Sequence, residues 1–274
     1  MAITAAEVNK LRQMTGAGMM DCKNALVEND GDFDKAIDFL RKKGQKLASK
    51  RADRDANEGV VIAKTNENKS FAACIMINCE TDFVAKTDLF VNFCKSVLDL
   101  AIEKMPKSEE ELKGLQINGT SIADLLIEQT GKTGEKVELA HYNFIEGPMN
   151  FAYNHQGSRL ATIVGFNKAC DEILGKDIAM QIASMAPVAI DKDLVSPETI
   201  EKELEIYRDL IRQEGKPENM VEQIAQGKLN KFFKDSTLLN QDFIKEGKKS
   251  VEQHIKEIDK DLKVTAFTRL MLGA

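Results

Sequence analysis

Apolar residues recur at intervals of three and four through the first part of the chain. Thr4-Ala5-Ala6-Glu7 has the spacing of a capping box, in which a hydroxyl and a carboxylate satisfy the first free amides of a helix reciprocally, and Val8, Leu11 and Met14 follow on one face. Gly16 and Gly18 interrupt that helix. A second begins at Met19-Met20 and ends at the turn signal Asn29-Asp30-Gly31, and a third runs from about Asp34, with Ala36, Ile37 and Leu40 inward, to Gly44. Three helices in roughly 45 residues lie near the lower size at which a domain folds alone. Two adjacent methionines cannot both face one narrow core, so one of Met19 and Met20 is expected inside and the other outside. Arg41, Lys42, Lys43, Lys46, Lys50, Arg51 and Arg54 then crowd a stretch with few large apolar residues. It reads as a solvated, partly helical linker, since the aromatics that would stack bases are missing.

Beyond it the period changes. Glu58–Lys64 and the unbroken apolar run Phe71–Ile77 flank the polar turn Asn66-Glu67-Asn68-Lys69, which predicts a hairpin. Asn78-Cys79-Glu80-Thr81-Asp82-Phe83-Val84-Ala85-Lys86 follows, and then Phe90, Phe93, Val97, Leu98 and Ala101 return to helical spacing. Asp82 and Phe83 therefore stand at a strand-to-helix corner. Two readings are open: Phe83 folds back as a core residue while Asp82 caps the helix, or the ring stays exposed on a rigid corner and enters a partner's pocket.

The same order recurs. Asn150–His155 and Leu160–Phe166 flank Gln156-Gly157-Ser158, and a helix carrying Ile178, Ile182, Ala183 and Ala186 comes after Lys168–Glu172. Ser70–Met76 can be laid over Ser158–Val164. An extra strand, Val137–Ile145, precedes the second copy, and a helix over Ser121–Gln129 separates the two. Two related α+β subdomains are expected, each a small antiparallel sheet with helices on one face. The second corner has no aromatic, which favours a special role for the first. Ser196-Pro197-Glu198 starts a charged helix with the narrow seam Ile200, Leu204, Tyr207 and Ile211. After Gly215-Lys216-Pro217, a helix over Glu218–Lys234 offers Val221, Ile224, Ala225 and Leu229, so the pair reads as a protruding antiparallel hairpin. Phe243–Leu272 reads as a helix and a closing strand. The expected units are a bundle and linker at 1–54, a core subdomain at 55–136, and a second at 137–274 that contains the hairpin at about 196–234.

Composition narrows what this architecture can do. With 44 acidic and 38 basic residues among 274, the net charge of -6 argues against a general binder of nucleic acid or membrane surface. No apolar run approaches the roughly 20 residues that span a bilayer, and the opening Met1-Ala2-Ile3-Thr4 lacks a secretory pattern, so the cytoplasm is the expected location. Five cysteines form no Cys-x-x-Cys pair and read as buried free thiols. His141, His155 and His254 are scattered, without metal-ligand spacing or a nucleophile partner. Thr15-Gly16-Ala17-Gly18 lacks the preceding strand and the Gly-Lys-Ser/Thr ending of a phosphate loop. No catalytic residue, metal site or cofactor is expected, and a protein-binding scaffold fits better than an enzyme. His155, beside Tyr153 and Asn154 at a hairpin tip, is a candidate contact.

Leu11–Leu26, Asn78–Lys86 and the Gly215-Lys216-Pro217 turn closely resemble the bacterial elongation factor Ts family, in order over nearly the whole chain. The resemblance implies a ubiquitin-associated-like first bundle, a bipartite core and a coiled-coil hairpin. It implies guanine-nucleotide exchange on elongation factor Tu, with Thr81, Asp82, Phe83 and Val84 as the intruding element: Phe83 wedges between helices of the GTPase and Asp82 acts near its magnesium. It further implies contacts from Arg12, Met19, Met20 and Lys23 in the first domain and from His155 in the core. Lys245 stands in a contact segment where some relatives are apolar, and no extra helix follows before Ala274, so a third anchor is expected to be missing. No membrane, direct nucleotide or RNA binding is expected. The alternatives are an RNA-binding factor using the basic stretch and a ubiquitin-like-binding adaptor using the first bundle.

Overall fold

The capping signal at Thr4 opens a helical bundle. In the computed structural model, which describes residues 3–273, α1 (Ala5–Thr15) starts on a complete Thr4/Glu7 capping box and ends at Gly16, whose φ of 69° suits glycine. α2 (Met19–Glu28) and α3 (Phe33–Arg51) follow. Leu11, Cys22, Ala25, Leu26 and Ala36 form the bundle's own core. Met14, Met19 and Met20 are all exposed, so the two neighbouring methionines do not divide between core and surface. The buried residues of α2 are Cys22, Ala25 and Leu26; Met19, though in line with Cys22 and Leu26, is the first residue of the helix and stays outside. The third helix also passes straight through Gly44: residues 41–51 belong to α3 and are not a linker.

The chain continues through β1 (Glu58–Thr65), β2 (Phe71–Cys79), the one-turn α4 (Asp82–Ala85), α5 (Asp88–Lys104), α6 (Glu109–Gly114), the short pair β3 (Gln116–Ile117) and β4 (Thr120–Ser121), and α7 (Ile122–Thr133). Next come β5 (Glu138–Glu146), β6 (Met149–Asn154), β7 (Leu160–Phe166) and α8 (Glu172–Met185), then the paired α9 (Pro197–Gln213) and α10 (Glu218–Ser236). β8 (Asp242–Phe243), β9 (Glu246–Ser250), α11 (Val251–Ile258) and β10 (Val264–Met271) close it. Gly44 is a crossing point: a Cβ on Gly131 of α7 would sit 3.1 Å from its Cα, so the absence of side chains there lets α3 lie directly on α7.

Two three-stranded antiparallel sheets form the body, ordered β1-β2-β5 and β10-β7-β6. The fold is mixed α and β, with N-terminal helices ahead of small antiparallel sheets. β5, expected with the second subdomain, completes the first sheet through pairs such as Ile75↔Tyr142, so a boundary at residue 136 does not separate the sheets. β10 plays the same part in the second. One face of the first sheet packs Phe71, Ala73, Ile75 and Ile77 on Phe90, Phe93, Val97 and Leu98 of α5. One face of the second packs Phe151, Val164 and Phe166 on Leu174, Ile178 and Ile182 of α8. The remaining faces meet in a layer of smaller side chains that includes Ala63, Ala72, Cys74, Ala161 and Ile163. Burial on both faces is why β2 reads as an unbroken apolar run.

The duplication is real, but its register differs by one residue from the Ser70/Ser158 overlay. Asn66 N–H donates to Phe71 O and His155 N–H donates to Leu160 O, and the left-handed residues other than glycine in the two turns are Lys69 (φ 58°) and Ser158 (φ 51°). Phe71 therefore corresponds to Leu160. A one-residue slip exchanges the faces of a strand, and only this register sets the helix-covered face of β2 on that of β7.

α9 and α10 join through Leu204, Ile211, Val221, Ala225 and Leu229, an apolar cluster of their own. Replacing residues 205–223 by a short polar turn is expected to leave soluble expression and a cooperative melt close to the parent's. A circular-dichroism melt that collapsed would show that the hairpin supports the body.

Candidate functional site

The corner is a turn set between β2 and α5. Thr81, in extended conformation, caps α4: its Oγ accepts the Val84 N–H at 3.4 Å. Asp82 is not the cap. Its carboxylate takes Lys86 as an i,i+4 partner, and that hydrogen bond holds it below the usual aspartate range. Ala85 is buried and Val84 packs on the first core, so the turn is rooted on one side. Phe83 points the other way and is 82% exposed, which removes the reading of its ring as a core residue.

Residues far away in sequence hold this turn. Thr81 donates its N–H and its hydroxyl to the Glu135 carboxylate at 3.0 and 2.6 Å. Glu80 accepts the Lys136 N–H at 2.7 Å and one Arg51 Nη1 at 2.7 and 2.9 Å, and these donors, the Lys136 amide first, keep its carboxyl below the ordinary glutamate range. Cys79 Sγ donates to Thr81 O at 3.2 Å. Sequence reasoning passed over Arg51, Glu80, Glu135 and Lys136, since nothing local marks them as partners. It also passed over Leu89, 77% exposed in the first turn of α5, because its i,i+4 spacing to Phe93 reads as part of the buried face.

The bundle reaches the corner. Gly16, between α1 and α2, shares a hollow of about 290 Å³ with Val84, Thr87, Leu89 and Lys132. Arg12 is exposed on α1, and Met19, Met20 and Lys23 are exposed on α2. Neither Arg12 nor Lys23 has an ion-pair partner among the described residues. His155 is not part of this cluster: it stands exposed on the second sheet's hairpin, with Nδ1 2.9 Å from Tyr153 Oη. Lys245 is held by the buried Asp177 at 2.7 Å.

The second corner is less empty than its sequence indicates. Asp171 caps α8, and Ile173, at the same distance from its cap as Phe83 from Thr81, is 69% exposed. Both corners thus present an apolar side chain. They differ in that Ile173 belongs to a helix of 14 residues, whereas Phe83 rides on a helix of four that depends on outside partners.

No group of three or more His, Cys, Asp or Glu could hold a metal ion among the described residues. All five cysteines are free, and burial pushes the Cys79 thiol up to about 12, far from a reactive thiolate. No described helix is long and apolar enough to cross a membrane. The arrangement is a rigid surface bearing an exposed ring beside an acid, next to a methionine-bearing bundle, which can bind another macromolecule.

Comparison with known proteins agrees over the whole length. Residues 80–274 match the family described as Elongation factor TS. A curated protein of Christiangramia forsetii named Elongation factor Ts is 50% identical over 273 residues, covering 99% of each chain. Proteins of the same name from Porphyromonas gingivalis and Bacteroides fragilis are 46% and 39% identical, each aligned over all of both chains.

Proposed function

The chain belongs to the elongation factor Ts family, and on that premise we propose that it is a guanine-nucleotide exchange factor for elongation factor Tu in translation elongation. The observation that carries the proposal is Phe83, fully displayed on a turn whose other side is rooted in the core. In this reading Thr81, Asp82, Phe83 and Val84 form the intruding element. Phe83 wedges between helices of the GTPase domain, and Asp82 acts at the edge of the partner's magnesium site. Arg12, Met19, Met20 and Lys23 dock the bundle on the same domain, and His155 makes a separate contact from the second sheet.

The work is done by linkage. A protein that binds the nucleotide-free GTPase more tightly than the GDP form must lower GDP affinity by the same factor. No bond is made or broken, so the factor needs no catalytic residue, cofactor or nucleotide site of its own. The cytoplasm, where translation occurs, is the proposed location. The bundle at 1–54 and the two core halves act together in this scheme, as α3 lying on α7 supports.

Stopped-flow release of labelled GDP from elongation factor Tu tests it. Substoichiometric amounts of the chain are expected to accelerate release repeatedly, and release at the unassisted rate would sink the proposal. Retention of RNA that weakens steeply with salt would favour the basic face of α3 as the working surface instead.

A further inference from the structure

We propose that Glu135, Glu80 and Arg51 are positioning residues for exchange, a clasp that sets the angle at which Phe83 is presented and ties it to the end of the bundle's last helix. The inference rests on the reading of Phe83 as the intruding element. Its first support is the length of α4. Four residues cannot sustain a helix by themselves, so the orientation of Asp82–Ala85 has to be imposed from outside. Glu135 imposes it from one side, taking both donors of the residue at which the chain leaves β2 and enters the turn. Glu80 imposes it from the other, answering the loop of Glu135 through the neighbouring Lys136 amide. The exchange is reciprocal: each of two adjacent chain segments offers a carboxylate to the other's amide.

Arg51 extends the clasp. It is the last residue of α3, and its guanidinium meets both oxygens of Glu80. Lys136 Nζ, in turn, donates to Arg54 O at 3.2 Å. The helix that follows α2, with its exposed methionines, thus ends on Glu80, in the short link between β2 and the turn that carries Phe83. Core packing does not call for these bonds. Cys79 below the turn is already buried, the Val84 amide is already capped by Thr81, and the Glu80 and Arg51 side chains remain 17% and 30% exposed. What the clasp adds is order in the turn.

Without it, the bundle still meets the partner while Phe83 samples several directions. The maximal rate then falls with the fraction of correctly set turns, and the half-saturating concentration changes little. The experiment measures labelled GDP release from elongation factor Tu against concentration of full-length Glu135→Ala, Glu135→Gln, Arg51→Ala, Phe83→Ala and the Glu135→Ala/Phe83→Ala double variant, each with a thermal melt. Loss of a charge-assisted hydrogen-bond pair is expected to lower the plateau about 10-fold in Glu135→Ala. Arg51→Ala lowers it less. Glu135→Gln recovers most of it, because the amide oxygen still accepts the Thr81 N–H. In the Phe83→Ala background Glu135→Ala adds nothing further. A normal plateau in Glu135→Ala beside an impaired Phe83→Ala overturns the clasp alone, and so does a loss that adds to that of Phe83→Ala or follows the melting temperature. A parent rate in Phe83→Ala overturns the underlying reading itself.

Discussion

Phe83→Ala is expected to slow GDP release from elongation factor Tu by roughly 30-fold to several-hundred-fold while leaving the melt almost unchanged. Truncating an aromatic anchor at an interface commonly costs about 2 to 4 kcal/mol, which converts to that range in the corresponding equilibrium. The fold has little stake in the ring, which is 82% exposed and on the side of the turn away from Val84 and Ala85. Surface substitutions of that kind stay within about 0.5 kcal/mol of the parent in stability. Asp82→Ala should act in the same direction and less, since it removes one charge already shared with Lys86 at a solvated edge. Stopped-flow release with magnesium varied, beside a thermal melt of each variant, separates the outcomes. Unfolding of Phe83→Ala would make the ring part of the fold, and exchange at the parent rate would place the intruding element elsewhere.

Gly59→Ala is expected to be the most damaging single-methyl change for stability near the site. Gly59 pairs with Asn78 in β1–β2, two residues before Glu80, at a φ of 153° that side chains avoid. An added Cβ would stand 2.2 Å from Ile77 O and 2.8 Å from Asn78 Cα, both backbone atoms of the partner strand that cannot swing aside. Backbone strain and overpacking together suggest a loss of about 3 kcal/mol, or roughly 6–12 °C in melting temperature for a chain of this size. Gly227→Ala is the control. That glycine is exposed inside α10 with no atom within 4 Å of an added Cβ, and alanine there should stabilise by about 0.5–1 kcal/mol through helix propensity. Urea and thermal melts decide both. A Gly59→Ala protein that melts with the parent would mean the strands part at that point without cost.

These two glycines look alike in the sequence, and their difference shows where its reach ends. Signals that act over a few residues were readable: the Thr4/Glu7 capping box, the Ser196-Pro197 helix start, the hairpin turns, the apolar seam of α9 and α10, and the strand-to-helix corner at Thr81–Phe83. Their physical causes are hydrogen bonds and periodicities contained within each segment, so any reader of the segment can find them. The family resemblance added candidate contacts, yet it too named residues one stretch at a time. Only the folded chain decided that Phe83 lies outside the core, that Gly44 is a crossing and not a stop, that β5 joins the first sheet, and that the two hairpins match with Phe71 on Leu160. It also decided that Arg51 meets Glu80 and that Glu135 meets Thr81. Each of those outcomes depends on which distant surfaces touch, and the free energy that selects among such contacts belongs to the packed arrangement of the whole chain, with no counterpart in the local pattern of residues.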